Sequence, residues 1–421
     1  MNKIEKLVYD TVKKNQYLKA KIRNVYQTVF DILPDKKNFS KNPIHLKEGY
    51  FFGFHDVTPF SHDDTKVLAN ELTIPFRMPV AQDDLNLGYF ELKDGELGDF
   101  VQIAKTNAWN YHKGCRLQWL AKNKVIYNDV VDSEILVSRI FDIETKEETI
   151  IPFPIDSVSS DGLYASTFNY GRLERYMPGY GYASFSEKNH YNNEKMPENT
   201  GLFLGNLATG KKKLLVSLLE LTKVGEMTSD YENAFHYTTH SLFSSDNRYI
   251  SFLHRWVDEF ETFNRHSRLV CYDLKENKCY VAPTNDMVSH YVWNVKNQII
   301  AYCRIGDVDC QVLFKEPTLQ DYQIVAYPKL NSDGHQSFID QTTFVTDTYP
   351  DRSRMAHLYK VDVTTNKVER LASLKSFKSF QSQTKRHWCC DLHPRMNRKG
   401  NMVCFDSIHT GKRALCVMEI N

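Results

Sequence analysis

Apolar and polar positions in this chain fall into short runs that repeat a single phrase: a histidine, a bulky apolar residue three places on, a polar turn, then an apolar run. The phrase is clearest in His240-Ser-Leu-Phe-Ser-Ser-Asp-Asn-Arg-Tyr-Ile-Ser-Phe, His290-Tyr-Val-Trp-Asn-Val-Lys-Asn-Gln-Ile-Ile-Ala, His335-Gln-Ser-Phe-Ile-Asp-Gln-Thr-Thr-Phe-Val-Thr and His393-Pro-Arg-Met-Asn-Arg-Lys-Gly-Asn-Met-Val-Cys-Phe. With the bulky residue as register, weaker copies begin at Val57 before Phe60, Arg116 before Trp119 and Ile155 before Val158, which makes seven. Short strands recurring at roughly 40 to 50 residues predict an all-β, seven-bladed β-propeller, because one four-stranded blade cannot bury both faces without neighbours. In such a ring the innermost strands surround a central channel. A position repeated from blade to blade therefore points into one small volume, where the four histidines are expected to meet.

Outside the phrase, paired apolar runs around polar turns predict hairpins at Ile140 to Ile151, Leu202 to Val216, Leu269 to Val281 and Leu358 to Leu371. Asp- or Asn-containing turns supply the tight reversals that these need. The propeller is expected over residues 43–421. Pro43 to Phe54 reads as a strand, and the last strand, Ala414 to Ile420, has no partner after it, so an N-terminal strand is expected to complete the final blade and hide two open edges. Residues 1–36 stand outside the repeat as a helical extension. Leu18, Ile22, Val25, Val29 and Leu33 recur at helical spacing, seven Lys and Arg precede residue 25, and Pro34 ends the pattern. Its apolar stripe suits packing on the side of the propeller. Its basic face suits peripheral contact of residues 1–33 with an anionic membrane. Asn169 to Thr200 breaks the rhythm with a Gly- and Tyr-rich insertion, and long insertions of this kind carry function more often than packing.

Composition changes this picture in two places. A formal charge of +1 removes the basic surface that a nucleic-acid partner would require, while leaving room for a local basic pocket that binds an acidic sugar. The nine cysteines include the adjacent pair Cys389 and Cys390 but no CxxC spacing, which fits free thiols in a reducing cytoplasm rather than a disulfide framework or zinc ribbon. With neither the apolar core of a signal peptide nor a membrane-length apolar stretch, a cytoplasmic protein is expected.

Four imidazoles around one axis can bind a divalent metal, for which histidine is the commonest side chain near neutral pH. Asp391 lies two residues before His393 and is expected to point the same way if the segment is extended, sharing the ion or orienting a histidine. The histidine position of blade two holds Arg116, and Arg255 follows the inner strand of blade four. Arginine pairs with carboxylates bidentately, so a ring of His and Arg suits a uronate. Within the insertion, Arg172, Arg175 and Tyr182 are candidates to reach over the mouth and bind substrate. His55 and Asp56, and Tyr111 and His112, precede inner phrases where loops line the mouth. Tyr349 closes the second strand of blade six as a candidate proton donor or a core aromatic.

The phrase Asp391-Leu-His-Pro-Arg-Met-Asn-Arg-Lys-Gly-Asn-Met-Val-Cys-Phe-Asp resembles the repeat of TolB-like propellers and, with the upstream histidines, is similar to the oligogalacturonate lyases, cytoplasmic seven-bladed propellers that cleave uronate disaccharides. The resemblance covers roughly residues 43 to 421 and is stronger in the last four blades. It implies a manganese ion held by late-blade histidines and β-elimination beside a uronate carboxylate. Position by position, His335 and His393 match metal histidines, Asp391 stands where another histidine is expected, and His387 or Trp388 stands where a glutamine is expected. His290 matches a histidine facing the substrate, and Arg255 lies near the arginine base. His240, His290, Arg255 and Tyr349 form the catalytic set, and His335, His387, Asp391 and His393 the metal set. The expected activity is a lyase acting on an acidic oligosaccharide. The alternatives are a glycosyltransferase-like or glycan-modifying enzyme at the inner membrane face, weakened by the lack of any GxGxxG or Walker A phrase, and a non-catalytic glycan- or protein-binding propeller.

Overall fold

The computed structural model describes Val25 and residues 36–132, 134–182, 193–227, 231–257, 265–380 and 388–420. The helical extension over residues 1–36, its membrane contact and His387 fall outside the described residues, apart from Val25 and Lys36.

Seven antiparallel sheets follow one another along the chain. Their innermost strands are Tyr50–Phe51, Gln118–Ala121, Ser157–Val158, Phe235–Phe243, Val288–Trp293, Gln336–Phe338 and Arg395–Met396, in blades one to seven. The chain is thus a seven-bladed β-propeller. Its apolar side chains face adjacent sheets rather than a single centre. One core joins Leu253, Leu269 and Ile300 to Phe344 across blades four to six, and another joins Phe51 and Trp119 to Leu415 across blades seven, one and two. This sharing is why no blade is self-sufficient. The four hairpins read from the sequence are all present, and three of their turns share a cause. Asp142, Asp273 and Asp362 each accept two backbone N–H bonds from the residues two and three places on.

The ring closes as expected from the unpaired last strand. Ile44–Glu48 pairs along Ala414–Glu419 and becomes the outer strand of blade seven. The single strand read over Pro43 to Phe54 is in fact two strands in two blades. Gly49, at φ +86°, turns the chain out of blade seven, and Tyr50–Phe51 opens blade one. An unforeseen strand, Phe39–Ser40, adds a fifth position to blade six beside Lys367–Lys375.

Blade one departs from the repeat between Phe51 and Phe60, where the strand leaves its sheet and returns at the Phe60–Val67 bridge. The excursion is held from behind. Asp406 accepts the backbone N–H groups of Phe52 and Gly53 at 3.0 and 3.2 Å, and Arg395 donates to the carbonyls of Gly53 and Phe54 at 2.5 and 3.1 Å. Arg395 and Asp406 pair at 3.1 Å with both side chains fully buried. Gly53, at φ +121°, passes so close to Lys113 that a Cβ would lie 2.9 Å from its carbonyl carbon, so no other residue fits without shifting the backbone.

The insertion does not follow blade three but lies within it, between the paired strands Tyr164–Thr167 and Gly201–Asn206, and it begins with a short helix, Tyr170–Tyr176, capped by the Asn169 side chain. Glu174 then accepts the N–H groups of Gly179 and Gly181 at 2.9 and 3.1 Å, folding the chain back so that Tyr180 projects between them. Burial pushes the Glu174 carboxyl up to about 7, against the pull of those two N–H bonds.

Two stability outcomes follow. Arg395→Leu strands a buried carboxylate and should cost about 3–5 kcal/mol in urea unfolding, whereas Lys41→Ala, which breaks the surface pair with Glu369, should cost under about 1 kcal/mol. Because the folded carboxyl of Glu174 holds its proton more tightly than the unfolded one, its contribution is full below about pH 4.5 and is lost as pH rises through about 7. Glu174→Gln should therefore flatten the fall in unfolding free energy between pH 5 and 8; an unchanged slope would assign it to other groups.

Candidate functional site

The repeated histidines converge at the channel, and they do so around an aromatic plug. Phe54, carried inward by the blade-one excursion, lies 4.7 Å from the His240 ring, 5.9 Å from His290, 5.8 Å from His335 and 5.1 Å from His393, centroid to centroid. His55 follows Phe54 into the ring, 5.1 Å from His335, and its Nδ1 meets the Gln336 carbonyl at 2.8 Å. Backbone strain aims several of these side chains. His240 (φ +54°), His393 (φ +44°) and Arg116 (φ +59°) occupy the left-handed region at the entry to or within an inner strand, and bulges interrupt the pairing beside His240 and His290. A bulge redirects a side chain at the cost of ladder bonds, which suits a site rather than a sheet interior.

The ring has a metal-capable corner. His335 and His393 lie 4.1 Å apart by centroid, and their ligand atoms and a carboxylate oxygen of Asp391 all fall within 4.8 Å of one another. Asp347 organises this corner. It accepts the backbone N–H groups of His335 and His393 at 2.7 and 2.9 Å and meets His335 Nδ1 at 2.9 Å, which turns Nε2 toward the mouth. A carboxylate behind a histidine is the usual outer partner of a metal ligand. His393 Nδ1 is buried with no hydrogen-bond partner among the described residues, a cost that a bound cation would relieve. Burial, with repulsion from neighbouring imidazoles and arginines, holds His335 and His393 well below 6.5, so both stay neutral and able to ligate. Asp391 and His393 do converge, but on an irregular segment rather than the extended strand that alternation assumes. Trp388 turns away, donating to the Ser379 carbonyl and packing 4.9 Å from Phe76.

Beside this corner lies a second dyad. His290 Nδ1 meets Asp333 at 3.2 Å and Ser289 Oγ at 3.0 Å, and its ring is 4.1 Å from His335. Tyr349 stands 5.8 Å from His335 and 6.5 Å from His290 with much of its side chain open to solvent; partial desolvation and the nearby carboxylates of Asp333 and Asp391 push its phenol upward, so it keeps its proton. Arg255, in the second strand of blade four, bonds Ser267 Oγ and the Ser289 carbonyl at 3.1 Å each. No carboxylate pairs with it among the described residues, and burial, with nearby Arg265, pulls its guanidinium below its ordinary value. His240 sits deeper, its Nδ1 2.8 Å from Thr239 Oγ1 and its Nε2 buried without a partner among the described residues.

Three residues expected to face substrate are placed elsewhere. Arg116 is sealed between Asp56 at 2.8 Å and Asp156 at 3.3 Å, so its charge is spent inside the wall. Arg172 is buried, with its guanidinium on the carbonyls of His236, Glu194 and Lys195, where it pins the insertion. Tyr182 is buried beneath the loop, stacked 4.7 Å from Tyr170 and bonded by Asn128. Arg175 is half-buried at the end of the helix beside Tyr176. Among the described tyrosines of the insertion, it is Tyr180 that reaches the site, stacked on His112 at 4.3 Å and 6.0 Å from His240. Sequence reading also passed over Phe54, Asp347 and Asp156. Asp156 receives Lys113 at 2.5 Å and both donors of Ser241, and although burial pushes upward, Lys113 and Arg116 keep its carboxyl below the usual range. Of these, only Asp347 carried a readable signal: it stands two residues ahead of Tyr349, and residues two apart share a side of an extended chain.

No protein-family model matches the chain, and no curated protein does. Among solved structures it is similar to an oligogalacturonate lyase in complex with manganese, at 12% identity over 92% of this chain and 99% of that one, with a TM-score of 0.48. An oligogalacturonate lyase from Vibrio parahaemolyticus aligns at 12% identity over 91% and 99%, TM-score 0.43. The β-propeller domain of the Trilobed protease from Pyrococcus furiosus aligns at 8% identity over 91% and 95%, TM-score 0.49. Lyase and protease propellers match alike, so the likeness is one of fold, the seven-bladed β-propeller that the seven sheets themselves establish.

Proposed function

We propose that the channel mouth is the active site of a carbohydrate-active lyase that cleaves a uronate-containing oligosaccharide by β-elimination with the help of a divalent metal. The observation that carries the reading is the meeting, in one mouth, of an uncompensated buried arginine, a carboxylate-backed histidine and a donor set of two neutral imidazoles and one carboxylate. A buried guanidinium without a carboxylate partner costs free energy unless an anion completes it, and a uronate carboxylate fits bidentately.

His335, His393 and Asp391 would hold the cation, which when bound would withdraw charge from the substrate carboxylate and make the adjacent carbon more acidic. Arg255 binds and orients that carboxylate. The base is assigned to His290, whose Nδ1–H is fixed by Asp333, leaving Nε2 to take the proton. Tyr349 keeps its phenolic proton and is assigned to deliver it to the leaving oxygen. Phe54 closes the floor of the site, excluding water from below. The same activity is implied by the resemblance of the late-blade phrases to the oligogalacturonate lyases.

Incubation with a panel of uronate oligosaccharides, with and without added manganese, should produce an unsaturated sugar followed by its ultraviolet absorbance. No absorbance on any of them would overturn the reading. Arg255→Ala should lower kcat/KM by about 10- to 100-fold, the worth of one charge-assisted hydrogen-bonded contact, while leaving metal affinity unchanged. Asp347→Asn should weaken metal binding by about 10- to 100-fold in calorimetric titration, because His335 then loses its carboxylate partner.

A further inference from the structure

Asp391 belongs to two donor sets. Besides His335 and His393, it converges with His112 and Cys389, and the ligand atoms of this second trio also fall within 4.8 Å of one another. The two arms that bring them together are far apart in sequence and separately fixed. His112 sits in a tight loop before blade two, where Asn110 Oδ1 accepts the N–H groups of His112 and Lys113 at 3.1 and 2.7 Å and an Asn110–Gly114 bridge closes the base. Its ring lies flat on Tyr180 at an interplanar angle of 7°. Cys389 lies on the segment that enters blade seven, anchored by buried Leu392 and by the His393 N–H on Asp347.

Cys389 Sγ and His112 Nε2 end 3.8 Å apart. Zinc bonds of about 2.3 Å to sulfur and 2.0–2.1 Å to nitrogen place two tetrahedral ligands about 3.6 Å apart, so the observed separation is close to one edge of such a site. A thiol bonded to an imidazole has a similar length, and the third donor separates the two explanations. A carboxylate beside a thiol–imidazole pair opposes a free thiolate, whereas thiolate, imidazole and carboxylate together are the donors of a borderline-soft cation.

We propose that His112, Cys389 and Asp391 bind a second divalent cation, of the class zinc and cobalt represent, and that Asp391 bridges it to the ion held by His335 and His393. The bridging half rests on the metal site of the proposed lyase; the thiolate half does not. A shared carboxylate places two ions roughly 3.5–4 Å apart, and the sulfur donor makes their preferences unequal, with softer metals favoured beside Cys389 and harder ones beside His335.

The test uses the full chain, stripped with chelator and titrated with cobalt, followed by the thiolate-to-cobalt charge-transfer absorption and by metal content after zinc loading. The native chain should show the band and retain two equivalents. Cys389→Ser and, separately, His112→Asn should abolish the band and one equivalent, with circular dichroism unchanged. The double variant His335→Ala/His393→Ala should lose the other equivalent and keep the band, even if no uronate is ever cleaved. A folded native chain without the band, or a band that survives Cys389→Ser, overturns the proposal.

Discussion

One buried ion pair positions most of what matters here. Arg395 and Asp406, both in blade seven and both without solvent exposure, pair with each other and then spend their remaining hydrogen-bonding capacity on the backbone of residues 52–54. The strand of blade one is thereby pulled from its sheet and Phe54 is driven onto the axis. Few other devices would serve, because an excursion of bare backbone into a propeller channel leaves polar groups that neither water nor a neighbouring strand can satisfy. A paired guanidinium and carboxylate supply donors and acceptors together. The same pair lies at the seam where the N-terminal strand closes the ring, so closure of the fold and assembly of the site share one support.

Phe54 sets the electrical character of the mouth as well as its floor. Four histidines packed against an aromatic ring are poorly solvated, and charging one would charge it beside the others. Burial holds His240, His335 and His393 well below the ordinary imidazole value, so these three remain neutral, which suits ligation. The cations of the wall are treated in opposite ways. Arg116, Lys113 and Arg395 are each matched by Asp56, Asp156 or Asp406, whereas Arg255 is satisfied only by a serine hydroxyl, a carbonyl and a thioether among the described residues. Matched charges build the wall; the unmatched one is left for a ligand.

The insertion within blade three contributes by a route its composition hides. Its arginines looked like ligands for an acid, yet Arg172 is a fastener between the helix and the inner strand of blade four, and Glu174 shapes the loop that presents Tyr180. Tyr180 then stacks on His112 and so bears on the orientation of the imidazole that approaches Cys389.

What the sequence determined by itself was the counting. A histidine three residues ahead of a bulky apolar one, repeated at blade spacing, was enough for the ring, its hairpins, its closure by an N-terminal strand and the meeting of His240, His290, His335 and His393, because a rotational repeat turns equal position into shared space. The places where the chain breaks its own period were decided only by the tertiary structure. The repeat puts Val57 and Ile155 at the inner positions of blades one and three, but the groups that reach inward there are Phe54, His55 and Asp156. Arg116 kept the repeat position and lost its role to two aspartates from distant loops. Asp347, Tyr180 and Cys389 acquired neighbours 12 to 277 residues away. Periodicity reports local geometry that recurs, whereas charge pairing, burial and metal donors depend on contacts between segments that no local pattern encodes.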